Sequence, residues 1–523
     1  MQRGTTLATT SEPQHRASPR EWLGLAVLAL PTLLLSIDMS VLHLAVPHIS
    51  ESLLPSAPQM LWIIDIYGFM IAGLLVTMGT LGDRIGRRRL LLIGAAAFGV
   101  ASVIAAYADS PATLIAARAA LGIAGATLMP STLALISNMF QDAKQRGIAI
   151  AVWVTMFSVG IALGPVVGGA LLEYFWWGSV FLLNVPIMAV LLLAGPRLLP
   201  EYRDADAGRL DLTSVVLSLA TILPVIYGLK ELAKDDPGLL PVLAIVAGLA
   251  VGVFFVRRQR GLTSPLIDLR LFRNRALTTA LVAMLFSMLI AGGTYLFVTQ
   301  YLQLVVGLSP LRAGLWLLPA AIALIVTSML SPVLAGRFAP AHVVAAGLAV
   351  SAVGHLTLAL VGSEGGLTQL VVGFLLVYAG GGPLIALGTD IVVGSAPPEQ
   401  AGSASAVSET STELGMALGV AILGSIGAIV YRSQVTVPEG AAAGDTLATA
   451  VAAAERLPGE VGATLLASAR AAFTDGLNVI GAISTVITVL LVVAVLTMIR
   501  NRPAAPDDAP VDDADVVPAR SAS

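Results

Sequence analysis

Cysteine is absent from the 523-residue chain, which removes disulfides, thiolate metal sites and cysteine nucleophiles together. Charge is scarce as well. Asp, Glu, Lys and Arg supply 12% of the residues, about half the roughly 25% of a soluble domain. The five histidines (His15, His43, His48, His342, His355) fall at no metal-ligand spacing, and neither an HExxH nor a nucleophile motif occurs. No metal site is expected. A formal net charge of −3 offers none of the basic footprint that nucleic acid requires. What the chain has instead is apolar: 57% of its residues are hydrophobic, and its mean hydropathy is +0.88. That composition specifies an all-α polytopic membrane protein, with the lipid bilayer as its first partner.

Apolar runs long enough to cross a bilayer number 14, at about 22–46, 60–81, 90–108, 112–138, 147–172, 179–199, 212–230, 239–256, 276–301, 311–335, 341–361, 367–392, 403–430 and 476–499. An even count puts both termini on one side. With the amino terminus cytoplasmic, inner segments hold 22 basic residues and outer segments hold 6, namely Lys230, Lys234, Arg312, Arg432, Arg456 and Arg470. The positive-inside rule therefore places both ends in the cytoplasm of a plasma-membrane protein. Residues 1–20 read as a polar cytoplasmic tail, and the first span as a retained one, too long for a signal-peptide core. The Ala/Gly-rich stretch 431–475 reads as an outer loop, with a surface helix possible over 451–472, and 501–523 as a disordered tail.

The first span, Trp22–Val46, carries one acid, Asp38, well inside it. A carboxylate at such depth costs on the order of 3 kcal/mol on insertion scales. Transport is the usual reason to bear that cost, and a bond to a neighbouring helix is the plain alternative. Other charges lie equally deep. Arg118 in the fourth span shares a helical face with Gly122, Gly125 and Met129, and needs a partner or a water-filled cavity. Asp65 lies near the outer end of the second span, with Tyr67 and Phe69 close by. In the thirteenth span Glu409 and Glu413 stand at i and i+4 on one face. Like charges so close rarely both ionise in an apolar site, so one is expected to hold a proton; a solvated face is the alternative.

Two glycine-bearing patterns follow. Between the second and third spans runs Gly79-Thr-Leu-Gly82-Asp83-Arg84-Ile-Gly86-Arg87-Arg88-Arg89. Gly82 and Gly86 allow a tight reversal, Asp83 can accept a bond from a neighbouring helix end, and the arginines hold the inner side. Leu334-Ala-Gly336-Arg337-Phe338 is a degenerate echo after the tenth span. In the fifth span Gly160, Gly164 and Gly168 recur every four residues, with Pro165 and Gly169 beside them. Small residues at that spacing let a neighbouring backbone approach, and the proline favours a bend.

The first pattern matches the G-x-L-x-D-R-x-G-R-[KR] signature of the major facilitator superfamily. The second matches G-x3-G-P-x2-G-G, the antiporter signature of its drug exporters. Along nearly its whole length the chain resembles the fourteen-helix drug:proton antiporter branch, and most closely the QacA-like quaternary-ammonium efflux pumps. The resemblance implies two six-helix pseudo-repeat halves, 21–200 and 258–500, with two inserted helices over 211–257. It implies export of lipophilic cations driven by the proton gradient, without a cofactor, and a monomer is expected. Asp38, Asp65, Glu409 and Glu413 are then the coupling acids, and Arg118 is tied to proton coupling. The chain departs from some relatives in having no acid within the tenth span, Ala320–Val333, and for that reason monovalent cations are expected as the main cargo.

The expected mechanism is competition for one charge. An unpartnered Asp38 in a low-dielectric cavity holds a proton until a cation displaces it. Tyr67, Phe69, Trp153, Phe157 and Tyr378 are candidate cavity aromatics for cation–π attraction. Gly380-Gly-Gly-Pro383 in the twelfth span is either a helix break at the cavity or a close-packed bend. Two other readings are an exporter of an endogenous natural product or antibiotic and an intramembrane transferase.

Overall fold

The computed structural model describes residues 17–203, 211–232, 238–262, 269–394, 401–437, 446–457 and 459–498. The carboxy-terminal tail 501–523 and most of the amino-terminal tail lie outside the described residues. No strand occurs among those described, and 14 of the helices are long and apolar enough to cross a bilayer. In chain order the helices are α1 (Pro19–Leu53), α2 (Ala57–Ile85), α3 (Arg87–Ala106), α4 (Pro111–Met139), α5 (Ala143–Tyr174), α6 (Ser179–Leu182), α7 (Asn184–Leu198), α8 (Leu212–Glu231) and α9 (Leu240–Gly261). They continue with α10 (Arg275–Gln300), α11 (Pro310–Ala335), α12 (Pro340–Leu358), α13 (Leu367–Gly394), α14 (Ala401–Gln434), α15 (Leu447–Ala454) and α16 (Gly459–Met498).

Local chemistry sets several of the starts. Ser56, Ser110 and Ser309 each accept a backbone N–H of the first turn, and a proline stands in that turn, where its missing N–H costs nothing. The short α6 and α7 together make the sixth span.

The stretch 431–475 differs from its reading as a loop. α14 runs on to Gln434, α15 follows, and α16 begins at Gly459. Alanine-rich sequence favours the helix, and Leu465, Ala469, Ala472 and Phe473 bury one face of it. Arg470, one of the charges that interrupt the hydropathy there, donates to the Leu304 carbonyl at 3.0 Å.

The packing repeats itself. In the first half α1 packs on α5, α2 on α4, and α3 on both α4 and α7. In the second half α10 packs on α14, α11 on α13, and α12 on both α13 and α16. Across the divide α2 meets α14 and α5 meets α11, again a reciprocal pair. The inserted helices α8 and α9 pack on each other, and α8 also rests on α2 and α14.

Close approaches between the halves mark one end of the molecule. A Cβ on Gly169 would lie 2.6 Å from the Pro310 carbonyl oxygen, and one on Gly424 would lie 2.6 Å from Leu61. An apolar pocket bounded by Leu61, Leu296, Phe297, Leu447 and Phe473 lies at this same end, beneath α15.

Candidate transport site

Asp38 sits on the face of α1 opposite Ser36 and Ser40, because residues two apart on a helix point in nearly opposite directions. Both serine hydroxyls bond back to their own helix, Ser36 to Leu33 and Ser40 to Ile37. That leaves a low surface for α5. Its glycines fit there: a Cβ at Gly160 would lie 2.6 Å from the Leu33 carbonyl, one at Gly164 would lie 3.1 Å from Ser40 Cβ, and one at Gly168 would lie 2.8 Å from Val41. Pro165 and Gly169 turn toward α11 instead, against Gly314 and Pro310.

On its other face Asp38 is not unpartnered, as the competition mechanism required. Arg118 of α4 donates from Nη1 to Asp38 Oδ2 at 2.8 Å, with both side chains buried. Asn184 Nδ2, at the head of α7, donates to Asp38 Oδ1 at 3.4 Å and to Ser102 Oγ of α3 at 3.0 Å. Arg118 spends its other nitrogens on α2, with Nε to the Ile63 carbonyl at 3.2 Å and Nη2 to Ile64 at 3.4 Å. Gly122 permits this approach: a side chain there would meet Met70 Cβ at 2.7 Å. The guanidinium lies 4.4 Å from the centroid of the Tyr67 ring. Five helices thus share one satisfied polar network, which is what makes a buried charge pair tolerable.

Asp65 also has a cation. Lys230 of α8 reaches Asp65 Oδ1 at 2.7 Å, both side chains fully buried, and its ammonium sits 3.9 Å from the Trp62 ring. Lys230 is therefore not the loop charge that hydropathy suggested. A lysine at the polar edge of an apolar run reads as a boundary marker, and only its sequence distance from Asp65, 165 residues, hid the partner. Asp65 Oδ2 is buried without a hydrogen-bond partner.

Glu413 has no such help. Its Oε2 is buried and unpartnered, and no ion pair to it forms among the described residues. Glu409 lies one turn away, half-buried. A small cavity opens where the halves meet, and Met39, His43, Asp65, Tyr67, Arg118 and Glu413 line it. His43 stacks edge-on against Tyr295 at 4.8 Å, which ties α1 to α10. Four of the sequence-derived candidates, Asp65, Tyr67, Arg118 and Glu413, thus converge on one space.

The other candidate aromatics stand elsewhere. Phe69 is buried 6.0 Å from the Lys230 ammonium, and Trp153 donates to Thr132 Oγ1 at 3.1 Å. Phe157 packs half-buried on the core, and Tyr378 packs on Phe374 at 4.5 Å. α13 runs unbroken through Pro383, so the glycine run there is a close-packed bend. A Cβ on Gly382 would meet the Ser328 nitrogen at 2.8 Å, and Pro383 packs 2.8 Å from the Cβ position of Gly347.

The loop between α2 and α3 is a fastening. Gly86 adopts φ +110°, which disfavours a side chain. Asp83, in the last turn of α2, accepts from Arg87, the first residue of α3, at 2.6 Å. Arg87 extends to the Pro130 carbonyl of α4 at 3.4 Å. Arg88 donates to the Leu199 carbonyl at 3.0 Å. Gly82 packs under Arg87, with a Cβ there 2.9 Å from its Cδ, Gly79 faces Pro130 at 3.9 Å, and Arg84 is exposed.

Residues 28–420 match the model of the Major Facilitator Superfamily. The chain belongs to that superfamily. It is 45% identical to the multidrug efflux pump LfrA of Mycolicibacterium smegmatis, over 92% of this chain and 96% of that one. It is 36% identical to the methyl viologen resistance protein SmvA of Salmonella typhimurium, over 91% and 97%. A tetracenomycin C resistance and export protein of Streptomyces glaucescens is 31% identical, over 94% and 93%. Among solved structures, an inward-facing bacterial homologue of the human lysosomal transporter Spinster superposes with a TM-score of 0.64 at 16% identity, over 94% of this chain and 100% of that one; it shares the fold. This superfamily member is a multi-pass membrane efflux transporter and not an enzyme, which sets aside the transferase reading.

Proposed function

We propose that this transporter exports lipophilic, mainly monovalent cations, such as quaternary-ammonium biocides and cationic dyes, in exchange for protons. The observation that carries the reading is the Glu413 carboxylate, which lines the cavity with a buried, unpartnered oxygen. An uncompensated buried carboxylate favours its protonated form, and a cation beside it favours the ionised one. One site then holds either proton or cation, and alternating access turns that exclusion into exchange. Asp38 and Asp65 already have cations of their own. One free acid suits one positive charge, and the Tyr67 ring beside it offers cation–π attraction. The proton gradient is the energy source, and no cofactor enters.

The distribution of basic residues supports a cytoplasmic Asp83–Arg89 loop and cytoplasmic termini, and on this reading the end at which the halves meet is the outer one. A chain without native thiols makes this testable. An impermeant maleimide should label Val437→Cys in whole cells and leave Arg89→Cys unlabelled; the reverse pattern contradicts the orientation.

Function is tested by expression in a pump-deficient bacterium, scoring growth on a panel of dyes and biocides and following ethidium efflux with and without a protonophore. Cation resistance together with protonophore-sensitive efflux is expected. Resistance confined to neutral antibiotics would instead favour an exporter of natural products, a reading to which the likeness to the tetracenomycin C exporter lends weight.

A further inference from the structure

The inserted helices do more than fill space. α9 packs against α8 at Gly228 and Pro241, and α8 against α2 at Gly73 and Leu219. This seats the Lys230 ammonium against Asp65, with the Trp62 and Phe69 rings beside it. Asp65 is in the cavity wall and Lys230 is not. The ammonium therefore holds the carboxylate from the side away from the cavity, with the Trp62 ring over it. Packing alone does not call for this arrangement, because a buried ion pair replaced by apolar residues of similar volume is often neutral or stabilising.

We infer that Lys230 is a tethered counter-ion that withholds Asp65 from cargo and thereby sets the charge selectivity of the transporter. With Lys230 in place the cavity presents one free carboxylate, Glu413. With it gone, Asp65 becomes a second anion within the same wall. A dication needs both, and a monocation needs one. Lys230 acts through Asp65 and is a positioning residue. The inference rests on the cation-export reading above.

The test uses the full chain in pump-deficient cells, with membrane levels measured by immunoblot and efflux of two probes, the monocation ethidium and the dication methyl viologen. Lys230→Gln should raise the methyl viologen-to-ethidium ratio at least fivefold over wild type. The double variant Asp65→Asn/Lys230→Gln, in which no new acid is exposed, should return that ratio to the wild-type value. A structural role alone would lower both probes together and leave the ratio flat. An unchanged ratio in Lys230→Gln overturns the inference. If the single variant fails to reach the membrane, the double variant decides: a fall in its ratio below wild type would mean that Asp65 already serves dications, and overturns it equally. A wild type that exports neither cation overturns the cation reading and this inference with it. A wild type that exports ethidium while the ratio stays flat overturns this inference alone.

Discussion

Asp65 of the first half and Glu413 of the second line one cavity, and Asp38 is joined to its wall through Arg118, but these acids are held in opposite ways. Asp38 and Asp65 each carry a cation from another helix, at 2.8 Å and 2.7 Å. Glu413 faces the cavity with no such cation among the described residues. The contrast teaches that depth in the membrane does not by itself identify an exchange site. A paired acid is a fixture, part of the bracket that sets helices at a given spacing. An unpaired acid must find its compensation in a proton or a passing cation.

Breaking the bracket should have the largest effect. Arg118→Met strands Asp38 as a lone buried charge, a loss of about 3–5 kcal/mol. We expect a marked drop in the thermal unfolding temperature of the detergent-solubilised protein, with efflux lost alongside. A variant as stable as wild type would mean that the network does not hold the half together.

A smaller effect is expected on the opposite face of α1. Gly168→Val forces a branched side chain against Val41, where even a Cβ would sit at 2.8 Å. Overpacking of this kind costs about 1–3 kcal/mol, so stability should fall while the Arg118–Asp38 pair stays intact. Ethidium efflux normalised to folded protein reports whether α5 has also shifted; full retention of both stability and efflux contradicts the packing account.

The mildest change is at Glu409, one turn from Glu413 and half-buried. Glu409→Gln removes an acid one turn from Glu413, the proposed exchange acid, and leaves Glu413 in place. The pH dependence of efflux should shift, and the maximal rate should change by no more than a few fold. Total loss of efflux at normal expression would move the exchange site to Glu409.

Much of the fold was legible in the chain, because a bilayer imposes one rule that composition states openly: about twenty apolar residues per crossing. The rule failed where it depends on local charge. Arg470 interrupts the hydropathy of a helix whose Ala469, Ala472 and Phe473 are buried, so α16 starts earlier than hydropathy suggests. The individual candidates were legible too, since Asp38, Asp65, Arg118 and Glu413 are conspicuous in apolar sequence. Their pairing was not. Arg118 and Asp38 are 80 residues apart and Lys230 and Asp65 are 165 apart, and no periodicity spans such distances. Asn184 gave a faint signal as a polar residue at the head of a span, but its bond to Asp38 follows only from α3 and α7 packing side by side. Trp62 likewise stands in an apolar run, and only the fold sets the Lys230 ammonium against its ring.

The central claim is that Glu413 carries the proton that a cation displaces. Its most direct test is proton release on cargo binding, measured with a pH indicator in weakly buffered detergent solution as ethidium is titrated into purified protein near neutral pH. Wild type should acidify the medium on binding. Glu413→Gln should keep its fold and release no protons, whereas Asp65→Asn/Lys230→Gln should still release them. Undiminished proton release from Glu413→Gln would contradict the account.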